Sequence, residues 1–314
     1  MTRKVLVTGG AGFVGSHVVD AYRAAGDDVT VLDDLSTGRR ENIPAGVRFV
    51  HADIRSTEAR EVVARGGFAL LNHHAAQMDV RRSVADPLFD AGVNVLGLLN
   101  LLEGARAGGV GRVVFASSGG VVYGEHGPFP LVESAAKLPV SPYGTAKLAS
   151  EYYLATYARL FGLETVALRY SNVYGPRQRA DGEAGVVAIF GRRLLKGEPL
   201  TIFGDGEQTR DLVYVMDVAE ANLAASERPL APVDGLDARA FNVGTGVETS
   251  VNRLAQLLGS VAGRAPQVGH AAARAGELQR SVLALDKAAR ELGWRPRTAL
   301  ADGLRATLRF LAED

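Results

Sequence analysis

Tyr143 and Lys147 stand four residues apart in Ser141-Pro142-Tyr143-Gly144-Thr145-Ala146-Lys147, and so share one face of any helix that runs through them. An ammonium group beside a phenol favours the phenolate and lowers the tyrosine pKa toward the working pH, which suits the pair to take a proton from a hydroxyl. Taken alone, Tyr-x-x-x-Lys also fits an ordinary half-exposed helix face. Upstream, Val113 to Gly120 reads VVFASSGG, an apolar strand with Ser117 and Ser118 at its carboxyl end. A serine there can hydrogen-bond a reacting oxygen, or it can cap the segment that follows.

A second pattern opens the chain. The strand KVLVT runs directly into Gly9-Gly10-Ala11-Gly12-Phe13-Val14-Gly15 and then into a helix. Gly9 permits the tight turn, Gly12 lets a pyrophosphate approach the backbone, and Gly15 lets helix and strand pack closely. The helix N-terminus supplies amide donors and a dipole. The first glycine interval is one residue longer than in the usual dinucleotide fingerprint, and a purely structural turn is the alternative. The next strand ends in Asp33 and Asp34, where a carboxylate accepts hydrogen bonds from an adenosine ribose and repels a 2′-phosphate. That favours NAD over NADP. Arg39 and Arg40 soften the preference, and a helix-capping aspartate pair is the other reading.

These residues need a scaffold, and the hydrophobic pattern supplies one. Short apolar runs at Lys4 to Thr8, Val29 to Leu32, Val47 to His51, Ala69 to Asn72, Arg112 to Ala116 and Glu164 to Arg169 alternate with helical stretches. The pattern predicts an α/β, doubly wound parallel sheet covered on both faces, with ligands beyond the carboxyl ends of the strands. A helix is expected near Val186 to Leu195, a strand at Ala240 to Val243, and helices near Val251 to Ala262 and Leu300 to Leu311. The expected division assigns residues 1–172, with about 212–245, to the dinucleotide-binding domain. It assigns 173–211 and 246–314 to a smaller, interleaved α/β substrate lobe.

Composition narrows the chemistry. The 314 residues carry 47% hydrophobic and 22% charged side chains, enough to bury a core. Thirty-five basic residues balance thirty-five acidic ones, so no overall field attracts nucleic acid or an anionic membrane. With no cysteine, any redox step needs a cofactor, and the cytoplasm is the expected compartment. No uninterrupted apolar run approaches a membrane span. His73 and His74 are adjacent on a strand, so their side chains diverge and no metal site is expected.

Taken together, VTGGAGFVGSH, Asp33-Asp34-Leu35-Ser36-Thr37-Gly38, Asp53-Ile54, His74-Ala75-Ala76-Gln77, Asn94, Ser118, Tyr143, Lys147, Arg169-Tyr170-Ser171-Asn172-Val173-Tyr174-Gly175-Pro176 and Arg210-Asp211 resemble the extended short-chain dehydrogenase/reductase family. The resemblance spans nearly the whole chain and is closest to nucleotide-sugar epimerases of the UDP-glucose 4-epimerase type. It implies a Rossmann-type sheet, bound NAD, a UDP-sugar substrate and a homodimer that pairs the helix around Pro87 to Ala107 with the Tyr143 helix. It further implies reversible C4 epimerisation of a UDP-hexose through a 4-keto intermediate. Relatives acting on UDP-glucuronate or a UDP-pentose, or a non-catalytic NAD-binding regulator, are the alternatives.

By the same resemblance, the cofactor contacts are Gly9, Gly12, Phe13, Val14, Asp33, Asp34, Leu35, Ser36, Thr37, Gly38, Asp53, Ile54, His74, Ala75, Ala76, Gln77, Asn94, Ser117, Tyr143, Lys147, Tyr170 and Val173. Asn172, Arg210, Arg274 and Glu277 are implied to hold the nucleotide, with Ser118 and Tyr143 at the sugar. For Arg210 the alternative is a surface ion pair with Asp211. Many relatives carry Ser-Ser-Ser before Ala-Thr-Val-Tyr-Gly, so their catalytic hydroxyl aligns here with Gly119, and Ser118 is taken as its replacement. Ser281 aligns with a bulky tyrosine of relatives restricted to plain hexoses. Its small side chain leaves room for an N-acetyl group, unless Arg280 refills the space or favours a uronate.

Overall fold

The computed structural model describes residues 2–179, 185–273 and 278–313. Its strands are β1 (Lys4–Thr8), β2 (Asp28–Asp33), β3 (Arg48–His51), β4 (Leu70–His73), β5 (Arg112–Ser118), β6 (Glu164–Tyr170), β7 (Asn172–Tyr174), β8 (Leu200–Phe203), β9 (Thr209–Tyr214), β10 (Ala240–Val243), β11 (Glu248–Ser250) and β12 (Val268–Ala271). Seven of them form an all-parallel sheet in the order β10-β6-β5-β4-β1-β2-β3. The order reverses direction at β1, and the crevice beyond the carboxyl ends of β1 and β4 is where such sheets bind ligands. Val5, Leu6 and Val7 are fully buried, because helices cover both faces of the sheet and the middle of β1 has no face left for a polar side chain.

The helices are α1 (Phe13–Ala24), α2 (Thr57–Arg65), α3 (Val80–Ala85), α4 (Pro87–Ala91), α5 (Gly97–Gly108), α6 (Gly119–Val122), α7 (Pro142–Phe161), α8 (Val186–Lys196), α9 (Val215–Glu227), α10 (Val251–Ala262) and α11 (Leu300–Glu313). Strand alternation divides the sheet between two cores. Val5 and Val7 face α1 and α9, whereas Leu6, Leu71, Val113 and Phe115 face α2, α5 and α7. A third core, around Leu194, Ile202, Leu258 and Leu308, joins α8, α10 and α11 over β8 and β9. Beside it lie two small sheets, β11-β9-β7 and β12-β8. Residues 285–294 depart from the expected division: Leu285, Ala288, Leu292 and Trp294 pack into the core under α9, next to the large sheet.

The ends of α7 were written in the sequence. Ser141 accepts from the Gly144 amide at 3.1 Å, Pro142 sits in the first turn, and Gly162 closes the helix at φ 69°. The single helix expected over Pro87 to Ala107 instead contains a π-helical turn at Gly92–Leu96, between α4 and α5. The run Pro87–Gly108 is also long and apolar enough to cross a membrane by length and composition alone, which the sequence reading did not anticipate. In the fold, its Leu98, Leu101, Leu102 and Ala105 are fully buried against α2 and the sheet.

Candidate active site

The turn after β1 has the shape of a phosphate cradle. Gly9 adopts φ 70°, and a Cβ there would lie 2.5 Å from the Ala75 nitrogen; a Cβ on Gly15 would lie 2.2 Å from the Gly9 oxygen. Neither position admits a side chain. Gly12 differs, because its Cβ direction meets only the Gly9 oxygen within 4 Å. Gly12 caps α1 with no side-chain hydrogen bond, so the first amides, from Phe13 and Val14 onward, keep the dipole and donors that suit an anion. Val14 also leans on the core.

Asp33, at the end of β2, fastens this turn to the next loop. It accepts from Ala11 N at 2.9 Å and Leu35 N at 2.8 Å, and burial raises its pKa. Asp34 accepts from the Ser36 amide and hydroxyl. The aspartates therefore organise a loop rather than cap a helix. A Cβ on Gly38 would lie 2.8 Å from that of Ala11, which explains why the loop can close there. The Thr37 carbonyl accepts from Arg179. The Asp53 carboxylate is gripped by Arg55 at 2.5 Å. Neighbouring Ile54 is buried against Gly97.

Beyond β4, His73 bonds Thr8 Oγ1 at 2.7 Å and His74 Nε2 meets the Tyr170 hydroxyl at 3.1 Å, so the two rings diverge. Burial lowers the His74 pKa to about 3. Asn222 donates to the same Tyr170 oxygen at 2.8 Å. No group of histidines and carboxylates able to hold a metal occurs among the described residues. Ala75 and Ala76 follow, half-buried, and then Gln77, whose amide donates to Asn94 Oδ1.

Lys147 is buried; its Nζ donates to the Ala116 carbonyl at 2.9 Å and lies 4.7 Å from the Phe115 ring centroid and 5.7 Å from that of Tyr143. Burial lowers the Lys147 pKa to about 8, against the opposing pull of Asp90 and Glu151. The lowering expected of the tyrosine pKa counts on an oxidised nicotinamide beside the phenol as well as on Lys147, and the polypeptide alone runs the other way. Burial, helped by the Asp90 charge, raises the Tyr143 pKa. The polypeptide by itself thus favours the neutral phenol.

The two serines separate by strand alternation. Ser117 is buried and donates to Glu151 Oε1 at 2.5 Å. Glu151 in turn pairs with fully buried Arg169 at 2.6 Å, and Arg169 reaches Asp237 and the Tyr123 hydroxyl. Through its side chain, Ser117 is therefore a member of a structural ion network. Ser118 is the last residue of β5, half-buried on the opposite face. Gly119 is glycine for a steric reason the sequence did not disclose: a Cβ there would lie 2.6 Å from Leu283 Cδ1.

Asn172 and Val173 begin β7, which pairs with β9, so Asn172 lies opposite Leu212. Arg210 projects from β9 and donates to the Thr209 carbonyl at 2.8 Å. It does not form the alternative ion pair with Asp211. Asp211 is fully buried and accepts from Thr245, Gly246 and Leu283. Thr209 and Asp211 donate to the carbonyls of Gln279 and Ser281, so buried Ser281 runs alongside Arg210. Arg280 is held by Glu248 at 2.8 Å and over the Phe129 ring at 4.6 Å. Arg274 and Glu277 lie outside the described residues.

Residues 5–244 match the model of the NAD dependent epimerase/dehydratase family. The chain belongs to that family. The UDP-glucose 4-epimerase of Mycolicibacterium smegmatis is 45% identical over 312 residues, covering 98% of each chain. The crystal structure of the Thermotoga maritima UDP-glucose 4-epimerase with UDP-glucose superposes with a TM-score of 0.94 at 44% identity over 99% of both chains. That of the Thermus thermophilus enzyme with NAD gives 0.90 at 46% identity, covering 98% of this chain and 99% of that one. Within the family frame, the residues missed by the sequence reading are Asp90, Glu151 and Leu283. A lone aspartate inside the apolar run PLFDAGVNVLGLL was the available signal for Asp90.

Proposed function

We propose that the protein catalyses reversible, NAD-dependent C4 epimerisation of a UDP-hexose. The carrying observation is the arrangement of Tyr143 and Lys147 on one face of α7, packed beside the strand that ends in Ser118. The cradle fits NAD: Gly9, Gly12 and Gly15 leave room for a pyrophosphate at the start of α1, and Asp33 disfavours a 2′-phosphate. When NAD is bound, its nicotinamide supplies the hydride acceptor and donor that a chain without cysteine lacks. Tyr143 takes the proton of the sugar 4-hydroxyl and gives it back, while the Lys147 ammonium stabilises the phenolate against the cost of burial. Ser118 hydrogen-bonds the reacting oxygen. Arg210 and Asn172 hold the nucleotide, so the keto sugar can turn without being lost.

Two finer readings follow. Buried Ser281, beside Arg210, leaves space for a C2 N-acetyl group, and Arg280 is occupied by Glu248 and Phe129 rather than presented to a uronate. The exposed apolar side chains of α4 and α7 support a homodimer.

Incubation with UDP-glucose or UDP-galactose, followed by chromatography, tests the reaction. Both 4-epimers are expected from either start, without free NADH. Tyr143→Phe should lose at least about a hundredfold in turnover while still binding NAD and UDP. Near-normal turnover in that variant defeats the mechanism, and preference for UDP-glucuronate transfers the case to the uronate alternative.

A further inference from the structure

Asp90 is 1% exposed on α4, an unusual place for a carboxylate unless it is paired. Its Oδ1 accepts from Gln77 Nε2 at 2.8 Å and from Asn94 Nδ2 at 3.0 Å. Its Oδ2 is buried without a hydrogen-bond donor. A carboxylate in that state is costly, and it persists where a nearby cation offsets it.

The neighbours lead to α7, the helix that carries Lys147. Asn94 lies in the π-helical turn after α4, a distortion frequent at functional sites. Its carbonyl accepts from Ser150 Oγ at 3.1 Å. Ser150 follows Tyr143 by seven residues and Lys147 by three, so all three lie on the same face of α7. Gln77 and Asn94 are bonded to each other twice: the Gln77 backbone amide donates to Asn94 Oδ1, and Asn94 Nδ2 donates to the Gln77 carbonyl. Gln77 leads back to the loop after β4. Asp90 thus sits where α4, that loop and the active face of α7 meet.

We infer that Asp90 is a positioning residue: a buried counter-charge to Lys147 that, through Gln77 and Asn94, fixes the face of α7 carrying Tyr143 and Lys147. Charge interactions agree, since Asp90 raises the pKa of both Tyr143 and Lys147, while Lys147 counteracts the burial that raises the Asp90 pKa. The other titratable groups facing Lys147 are Glu151 of α7, which acts in the same sense as Asp90, and His73 and His74 beyond β4. Both histidine pKa values are lowered by burial and by Lys147, so the imidazoles stay neutral. Arg81 and Arg82 of α3, which also packs on α7, are exposed.

The inference rests on the reading of Tyr143 as base, and the test keeps the two apart. Asp90→Asn in the NAD-loaded enzyme preserves shape: its amide oxygen can take the place of Oδ1 and its NH₂ the place of unpaired Oδ2. Removing the negative charge destabilises the Lys147 ammonium and stabilises the Tyr143 phenolate, so both pKa values fall. Both limbs of the pH profile of kcat should therefore move toward acid by about one unit. Superimposable native and Asp90→Asn profiles overturn the proposal, including the case of reduced height without a shift, which a merely structural role produces. An ultraviolet difference titration of each enzyme against its Tyr143→Phe counterpart isolates the Tyr143 phenol without recourse to turnover. A lower phenol pKa in Asp90→Asn supports the coupling even where Tyr143→Phe retains activity and the base reading fails, whereas an unmoved phenol overturns it.

Discussion

Leu283 reaches across from the strap beside β9 and fills the space in front of Gly119. A serine at 119, the position singled out by the resemblance, has to push aside a fully buried leucine. Gly119→Ser should therefore lower stability by roughly 1–3 kcal/mol through overpacking, and it should not restore the activity lost in Ser118→Ala. Urea unfolding with parallel turnover assays checks both; rescue by Gly119→Ser would return the hydroxyl role to that position. Ser117→Ala is expected to affect stability more than turnover, because its oxygen is spent on Glu151. The sequence reading chose Ser118 from the resemblance, but the physical difference between the two serines depends on which sheet face α7 covers, and no local pattern shows that. Ser281 poses a simpler question of volume. If it borders the sugar, Ser281→Tyr should remove activity on UDP-N-acetylhexosamines and spare plain hexoses; equal loss on both excludes a gate at C2.

At the scale of elements, α7 belongs to two networks at once. Tyr143 and Lys147 carry the proposed chemistry and Ser150 donates to the Asn94 carbonyl, while Glu151 anchors Arg169, which is 0% exposed. Glu151→Ala leaves that guanidinium buried with its bidentate partner gone, which typically costs about 3–5 kcal/mol. Thermal unfolding should show a drop of that order, and a loss below about 1 kcal/mol would mean that Asp237 and Tyr123 suffice for Arg169. Such a network was illegible in the sequence because its members come from β5, α7, β6 and the turn Leu236–Arg239. The parallel strands were legible for the opposite reason: burial on both faces makes most of them short, nearly continuous apolar runs, edge strand β3 being the exposed exception. β10 and α10 fall at the residues expected. The short strands β7, β9 and β11 carry no such pattern, since side chains such as Asn172, Arg210 and Asp211 are retained there for contacts that tertiary structure alone creates. The π-helical turn was likewise hidden, because hydrogen bonds from Asn94 to partners distant in sequence accompany it and no local propensity does.

For the whole molecule, the question is what covers the outer face of α4 and α7. Leu88 is 85% exposed and Leu160 68%, and Leu96, Tyr152 and Phe161 are also exposed, on the same pair of packed helical segments. The run from Pro87 to Gly108 is half core and half surface: Leu98, Leu101 and Leu102 face α2 and the sheet, while Leu88 and Leu96 face outward. Water is a poor partner for so many clustered large apolar groups, and a second copy presenting the same face satisfies both at once, as a two-fold interface requires. A stable interface of this kind buries on the order of 1,200–2,000 Å² in total. Light scattering at micromolar concentration should give twice the chain mass, and Leu88→Arg combined with Leu160→Arg should give a monomer that keeps its NAD, because neither side chain enters the cradle. A native monomer under those conditions refutes the dimer. A variant that remains dimeric moves the interface to another face and leaves the exposed leucines of α4 and α7 without a role in assembly.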